Sequence, residues 1–143
     1  MGNDHRNGRA AIWTSRRVTR GASKIRVLVV DDNVSAAQAL ATCLSLEGME
    51  CEAAFGGHAA LSLATEFGPH VIIMDISMPG CDGYQAALAL RGDARTKDAA
   101  IVAFTAFDEA ELRQHVVDQE FDGYYQKGQA PSRLATLVTL FAH

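Results

Sequence analysis

Cysteine is scarce in this 143-residue chain, and the three present, Cys43, Cys51 and Cys81, show no Cys-x-x-Cys spacing. Neither a disulfide framework nor a thiolate zinc site is indicated, so they read as reduced, partly buried small residues. Long apolar runs are missing too: none approaches the ~18 to 20 residues that cross a bilayer. The opening "MGNDHRNGRA" has no apolar signal-peptide core. No membrane association and a cytoplasmic location are the expectations that follow. The histidines show no ligand spacing, and no repeat period or low-complexity tract interrupts the chain. No Gly-x-Gly-x-x-Gly follows the first apolar run, which disfavours a nicotinamide-binding domain.

What is present suits one soluble domain with a proper core: 48% of residues are hydrophobic and 21% charged. The net charge of −4 hides an asymmetry, because residues 1–24 carry six Lys/Arg against Asp4 alone, while residues 25–143 are strongly acidic. A basic tail on an acidic domain is the organisation. Residues 1–24, with Trp13 as their one aromatic, read chiefly as a structureless extension or linker. The competing reading of this tail is an arm that docks on an anionic partner or on the domain itself. Nothing in the acidic domain suggests nucleic-acid binding.

From residue 25 onward, short apolar runs alternate with segments of helical period. "IRVLVV" (25–30) reads as a buried strand, "NVSAAQALATCLSLEG" (33–48) as a helix ending at Gly48, and "CEAAF" (51–55) as a strand suited to a sheet edge. The second helix is "HAALSLATEFG" (58–68), stopped by Gly68-Pro69. "HVIIM" (70–74) is the most continuous strand, followed by a turn and the helix "GYQAALALR" (83–91). "AAIVAF" (99–104) is the fourth strand. "DEAELRQHVVDQ" (108–119) is the fourth helix, with Asp108 and Glu111 as a capping box. "FDGYYQ" (121–126) and "PSRLATLVTLFA" (131–142) close the pattern. The five βα units, their strands mostly near-continuously apolar, predict an α/β fold, a doubly wound five-stranded parallel sheet with helices on both faces.

In such a sheet, ligands bind at the carboxyl ends of the strands. There the sequence puts Asp31 and Asp32 after strand one, Asp75 after strand three, Thr105 after strand four and Lys127 after strand five. Clustered carboxylates repel, and a divalent cation is the natural remedy, with an all-oxygen set favouring Mg²⁺. That combination predicts phosphoryl chemistry. Asp75 is the candidate nucleophile, Lys127 with Mg²⁺ neutralises phosphoryl oxygens, and Thr105 donates a hydrogen bond to one of them.

The motifs "VVDDN" (29–33), "MDISMPGCDG" (74–83), "AFTA" (103–106) and "GYYQKG" (123–128), in this order, make residues 25–143 resemble the response-regulator receiver domains of two-component signalling. The resemblance implies the CheY-like strand order 2-1-3-4-5. It implies that Asp75 is the phosphoacceptor, and that Asp31 and Asp32 are the acidic pair, with Asp32 the more direct metal ligand. The backbone carbonyl of Ser77 would be a further ligand to Mg²⁺, Thr105 the switch hydroxyl, Tyr124 the switch aromatic and Lys127 the phosphate-pairing lysine. The phosphoryl donor would be a histidine kinase or phosphotransfer protein. Phosphorylation would remodel the face made by the fourth helix, fifth strand and fifth helix, in a monomer or weak dimer.

One departure stands out: Gly128 occupies the place after the lysine where the family usually has proline. Ser77 and Phe107, two residues after Asp75 and Thr105, lie where the family tunes hydrolysis of the phosphoryl group. The alternatives weighed are a phosphorylation-independent binding module on the same fold and a phosphohydrolase with an aspartate nucleophile. The latter would want a second aspartate where Ser77 stands. On this reading the domain is not an enzyme beyond its own phosphorylation and dephosphorylation. Its setting is either a stand-alone regulator or one part of a larger chain.

Overall fold

The structure, a computed structural model, describes residues 9–76, 83–116 and 119–143. Strands β2 (Arg26–Val30), β3 (Glu50–Ala54), β4 (Val71–Asp75), β5 (Ala100–Thr105) and β6 (Gly123–Gln126) pair in parallel. Their order across the sheet, β6-β5-β4-β2-β3, is the doubly wound order expected. β4 is buried at every residue, as its unbroken apolar run requires, because helices cover both of its faces.

Alternation along the strands divides the core in two. Leu28, Val30, Ile72, Met74, Ile101 and Ala103 face α2 (Gly57–Phe67), α3 (Gly83–Gly92) and α4 (Glu109–Arg113). Val27, Val29, Val71, Ile73 and Val102 face α1 (Val34–Leu46) and α5 (Pro131–Phe141). At the expected edge, β3 alternates exposed Glu50 and Glu52 with half-buried neighbours.

Two expectations are corrected. The tail read as structureless supplies a sixth strand, β1 (Ala10–Ile12), antiparallel to β6 with Ala11 opposite Tyr124. The unpaired backbone groups of β6 would otherwise stand open, and a short apolar run can satisfy them. Of the helix expected over 108–119, the described residues form Glu109–Arg113 only, and Val117 and Asp118 lie outside the described residues. Its capping box is present, Glu111 N–H donating to Asp108 at 2.8 Å and Asp108 N–H to Glu111 at 2.9 Å. Beyond it, the β-branched Val116 is a weak helix former.

His70 joins β2 to the segment before β4, its Nδ1 accepting from Arg26 N–H at 2.9 Å. Burial, reinforced by the charges of Arg26 and Arg20, lowers its pKa from the usual value. As pH falls below about 6.5 the unfolded chain therefore binds a proton that the folded chain refuses, and stability declines. Urea unfolding at about pH 7.5 and about pH 5.5 is expected to show this loss, and to show less of it in His70→Asn, which keeps an acceptor without the titration.

Candidate functional site

The functional rim is assembled by strand ends. Asp31 follows β2, its N–H donating to Ala54 O at the end of β3 at 3.0 Å. Its Oδ1 accepts from Asn33 N–H at 2.9 Å. Asn33, not an aspartate, caps α1 by accepting from Ala36 N–H at 3.0 Å. Both aspartates of the pair are thus left for other work. Asp75 ends β4, in register with Phe104 of β5.

The carboxylate oxygens of Asp31, Asp32 and Asp75 can lie within 4.8 Å of one another. Asp31 and Asp75 are buried and Asp32 is exposed. Lys127 Nζ stands 3.3 Å from Asp75 Oδ1 and 3.9 Å from Asp31 Oδ2. It also sits 5.2 Å from the centroid of the Phe104 ring. Lys127 is placed by its own N–H, which donates to Thr105 O at 2.8 Å. Gly128 follows with φ of 101°, a left-handed conformation that suits glycine and that proline cannot adopt. The departure from the family's proline is thus a differently built turn.

Burial pushes the Asp31 carboxyl up to about 6, and the neighbouring Asp75 adds to the effect. The Asn33 hydrogen bond and the Lys127 charge oppose it without cancelling it. Without a cation, then, the pocket holds more negative charge than one lysine offsets. The donor set is carboxylate oxygen, which fits a hard divalent ion of the Mg²⁺ type better than zinc or copper.

Thr105 is fully buried, and its Oγ1 accepts from Phe107 N–H at 3.1 Å. Tyr124 is buried as well, and its hydroxyl donates to Phe107 O at 2.7 Å. Burial, aided by Asp108, Glu109 and Glu111, pushes the Tyr124 hydroxyl up to about 12, so it stays a donor at neutral pH. Thr105 and Tyr124 therefore meet on the backbone of one residue, Phe107. Its ring is half-buried and stacks on His115 with centroids 5.9 Å apart.

Ser77, expected to offer a backbone carbonyl, lies outside the described residues, as do Pro79, Gly80, Cys81 and Asp82. Sequence reasoning missed Trp13, whose ring stacks on Tyr124 with centroids 6.2 Å apart and planes 10° apart. Its only signal was being the one aromatic in the basic tail.

A doubly wound α/β sheet with three carboxylates and a lysine at its carboxyl rim defines a class of phosphate- or metal-handling domains. Residues 27–139 match the response regulator receiver domain, and the chain belongs to that family. It is 37% identical over 118 residues to the transcriptional regulatory protein PrrA of Mycobacterium leprae, covering 82% of this chain and 48% of that one. It is 34% identical over 116 residues to the sensor protein GacS of Pseudomonas syringae, covering 79% of this chain and 13% of that one. The chain thus spans at most about half the length of these relatives. Among solved structures, the chemotaxis protein CheY4 of Vibrio cholerae matches with a TM-score of 0.75 and 28% identity, over 83% of this chain and 99% of that one. Among the described residues no helix is long and apolar enough to cross a membrane.

Proposed function

We propose that this receiver domain takes a phosphoryl group onto Asp75 from the phosphohistidine of a histidine kinase or phosphotransfer protein. The observation that carries the proposal is Asp75 itself, buried beside Asp31 with Lys127 Nζ 3.3 Å away. A carboxylate oxygen of Asp75 bonds to phosphorus as the bond from phosphorus to the donor's imidazole nitrogen breaks, and the imidazole leaves with that electron pair. Lys127 offsets charge on the phosphoryl oxygens, and the Thr105 hydroxyl donates to one of them. Asp31, Asp32 and Asp75 would hold Mg²⁺, with Ser77 as the expected carbonyl ligand. Bound there, the ion lowers the repulsion between the carboxylates and the incoming phosphoryl group.

The consequence of phosphorylation is a population shift in α4, β6 and α5, with Thr105 and Tyr124 as its levers. A partner protein reads that face. The resemblance to a sensor protein and to a transcriptional regulator supports a place in two-component signalling, with the particular kinase set by surfaces outside the acid cluster.

Intact mass after incubation with Mg²⁺ and acetyl phosphate tests the proposal. One phosphoryl adduct is expected on the native chain, absent when Mg²⁺ is chelated and absent in Asp75→Asn. A folded, Mg²⁺-binding native chain that gains no adduct would favour the phosphorylation-independent binding module instead.

A further inference from the structure

Residues 9–18 occupy the side of the sheet next to the switch residues. Arg9 O accepts from Gln126 N–H at 2.7 Å and from Gln129 Nε2 at 2.9 Å, on the loop that carries Lys127. Ala10 to Ile12 add to β6 as an antiparallel strand, burying Ala11 completely. Trp13 N–H donates to Asp122 O at 2.8 Å, and Val18 N–H to Phe141 O at 2.7 Å. This is strand addition by the chain to itself, with backbone bonds for affinity and a side chain for address.

The address is Trp13. Its ring lies on Tyr124, its Nε1–H donates to Glu109 Oε2 of α4 at 2.7 Å, and the Arg113 guanidinium stands 4.2 Å over it. Arg113 in turn pairs with Glu109 at 3.2 Å. A continuous set of contacts therefore runs from Thr105 Oγ1 to Phe107 N–H, from Phe107 O to the Tyr124 hydroxyl, and from the Tyr124 ring to Trp13 and α4. A Thr105 hydroxyl drawn toward a phosphoryl oxygen gives up Phe107 N–H. The backbone that holds the Tyr124 hydroxyl then shifts, and the surface under Trp13 shifts with it.

We infer that residues 9–18 are a built-in ligand of the α4–β6–α5 face, bound when Asp75 is unmodified and loosened when it carries a phosphoryl group. The inference rests on the phosphoacceptor reading of Asp75 and adds what that reading lacks, namely what covers the output face at rest. A partner would then compete with the arm, and the arm would oppose phosphorylation by the same coupling factor.

Trp13 is the one tryptophan of the sequence, so its emission reports the arm alone. The native chain is treated with Mg²⁺ and acetyl phosphate, the adduct is quantified by mass, and acrylamide quenching and tryptic cleavage after Arg16, Arg17 and Arg20 are read on the same samples. Quenching and cleavage are both expected to rise several-fold with the adduct, and to stay at their starting values in Asp75→Asn. An adduct with unchanged quenching and cleavage overturns this inference and leaves the phosphoacceptor reading intact, whereas no adduct overturns both.

Arg113→Ala supplies an independent arm of the test, since its side chain is half exposed and its contacts are with Glu109 and Trp13. This variant is expected to show a more accessible Trp13 and to bind beryllofluoride with Mg²⁺ more tightly by the factor that the arm is loosened. Looser binding of the arm with unchanged beryllofluoride affinity overturns the coupling.

Discussion

Asp122→Ala is expected to destabilise the folded chain by about 3 kcal/mol, toward the lower end of what removing one partner from a buried ion pair costs. Asp122 is 1% exposed, and both of its carboxylate oxygens are engaged. Oδ1 accepts from Thr14 Oγ1 at 2.6 Å and Arg16 Nε at 3.0 Å, while Oδ2 accepts from Ile101 N–H at 3.0 Å and pairs with Arg91. Without it Arg91 keeps the carbonyls of Lys97 and Ala99, but its charge remains largely buried and Ile101 loses its acceptor. Arg16, a third exposed, can return to water, which limits the loss. Urea unfolding measures it. Asp122→Asn, which retains an acceptor for Ile101, should lose less, and equal losses in the two variants would mean that the charge is what matters.

Gly83→Ala should be comparably damaging for a steric reason. A Cβ at the start of α3 would lie 2.6 Å from Asp75 O and 2.6 Å from Ile76 Cα, both backbone atoms that cannot rotate aside. Overpacking of this kind costs about 1–3 kcal/mol, and the upper end applies where backbone must move. The displaced backbone is that of Asp75, so the rate of adduct formation from acetyl phosphate should fall by about 100-fold, the order expected for a misplacement near 1 Å. A variant with a lowered melting temperature and an unchanged rate would show that helix α3 yields instead of β4.

Much of the fold was legible because its strands are buried on both faces and so read as unbroken apolar runs, as "HVIIM" does. The acidic cluster was legible for a related reason: a carboxylate directly after such a run has to lie at the rim. Strand β1 was not legible, because "AAI" carries no pattern of its own. Its place comes from pairing with Gly123, Tyr124 and Tyr125, roughly a hundred positions later, and only the folded sheet brings them together. The shortening of α4 is the converse case. The capping box marked where the helix starts, but no glycine or proline marked where it stops, and the sequence offers only the weak propensity of β-branched Val116 shortly beyond Arg113. The turn at Gly128 could be seen as a departure but not as a solution, since its left-handed backbone is a property of the loop.

The two sides of the sheet are protected from self-association by opposite means. β3 ends the sheet on one side with exposed Glu50 and Glu52, and like charges there discourage a second copy from pairing. β6, "GYYQ", has no charge and two tyrosines, a sequence well suited to recruiting a foreign strand. β1 takes that position first. The same basic segment that looks dispensable in the sequence thus occupies the side of β6 that a foreign strand would otherwise meet.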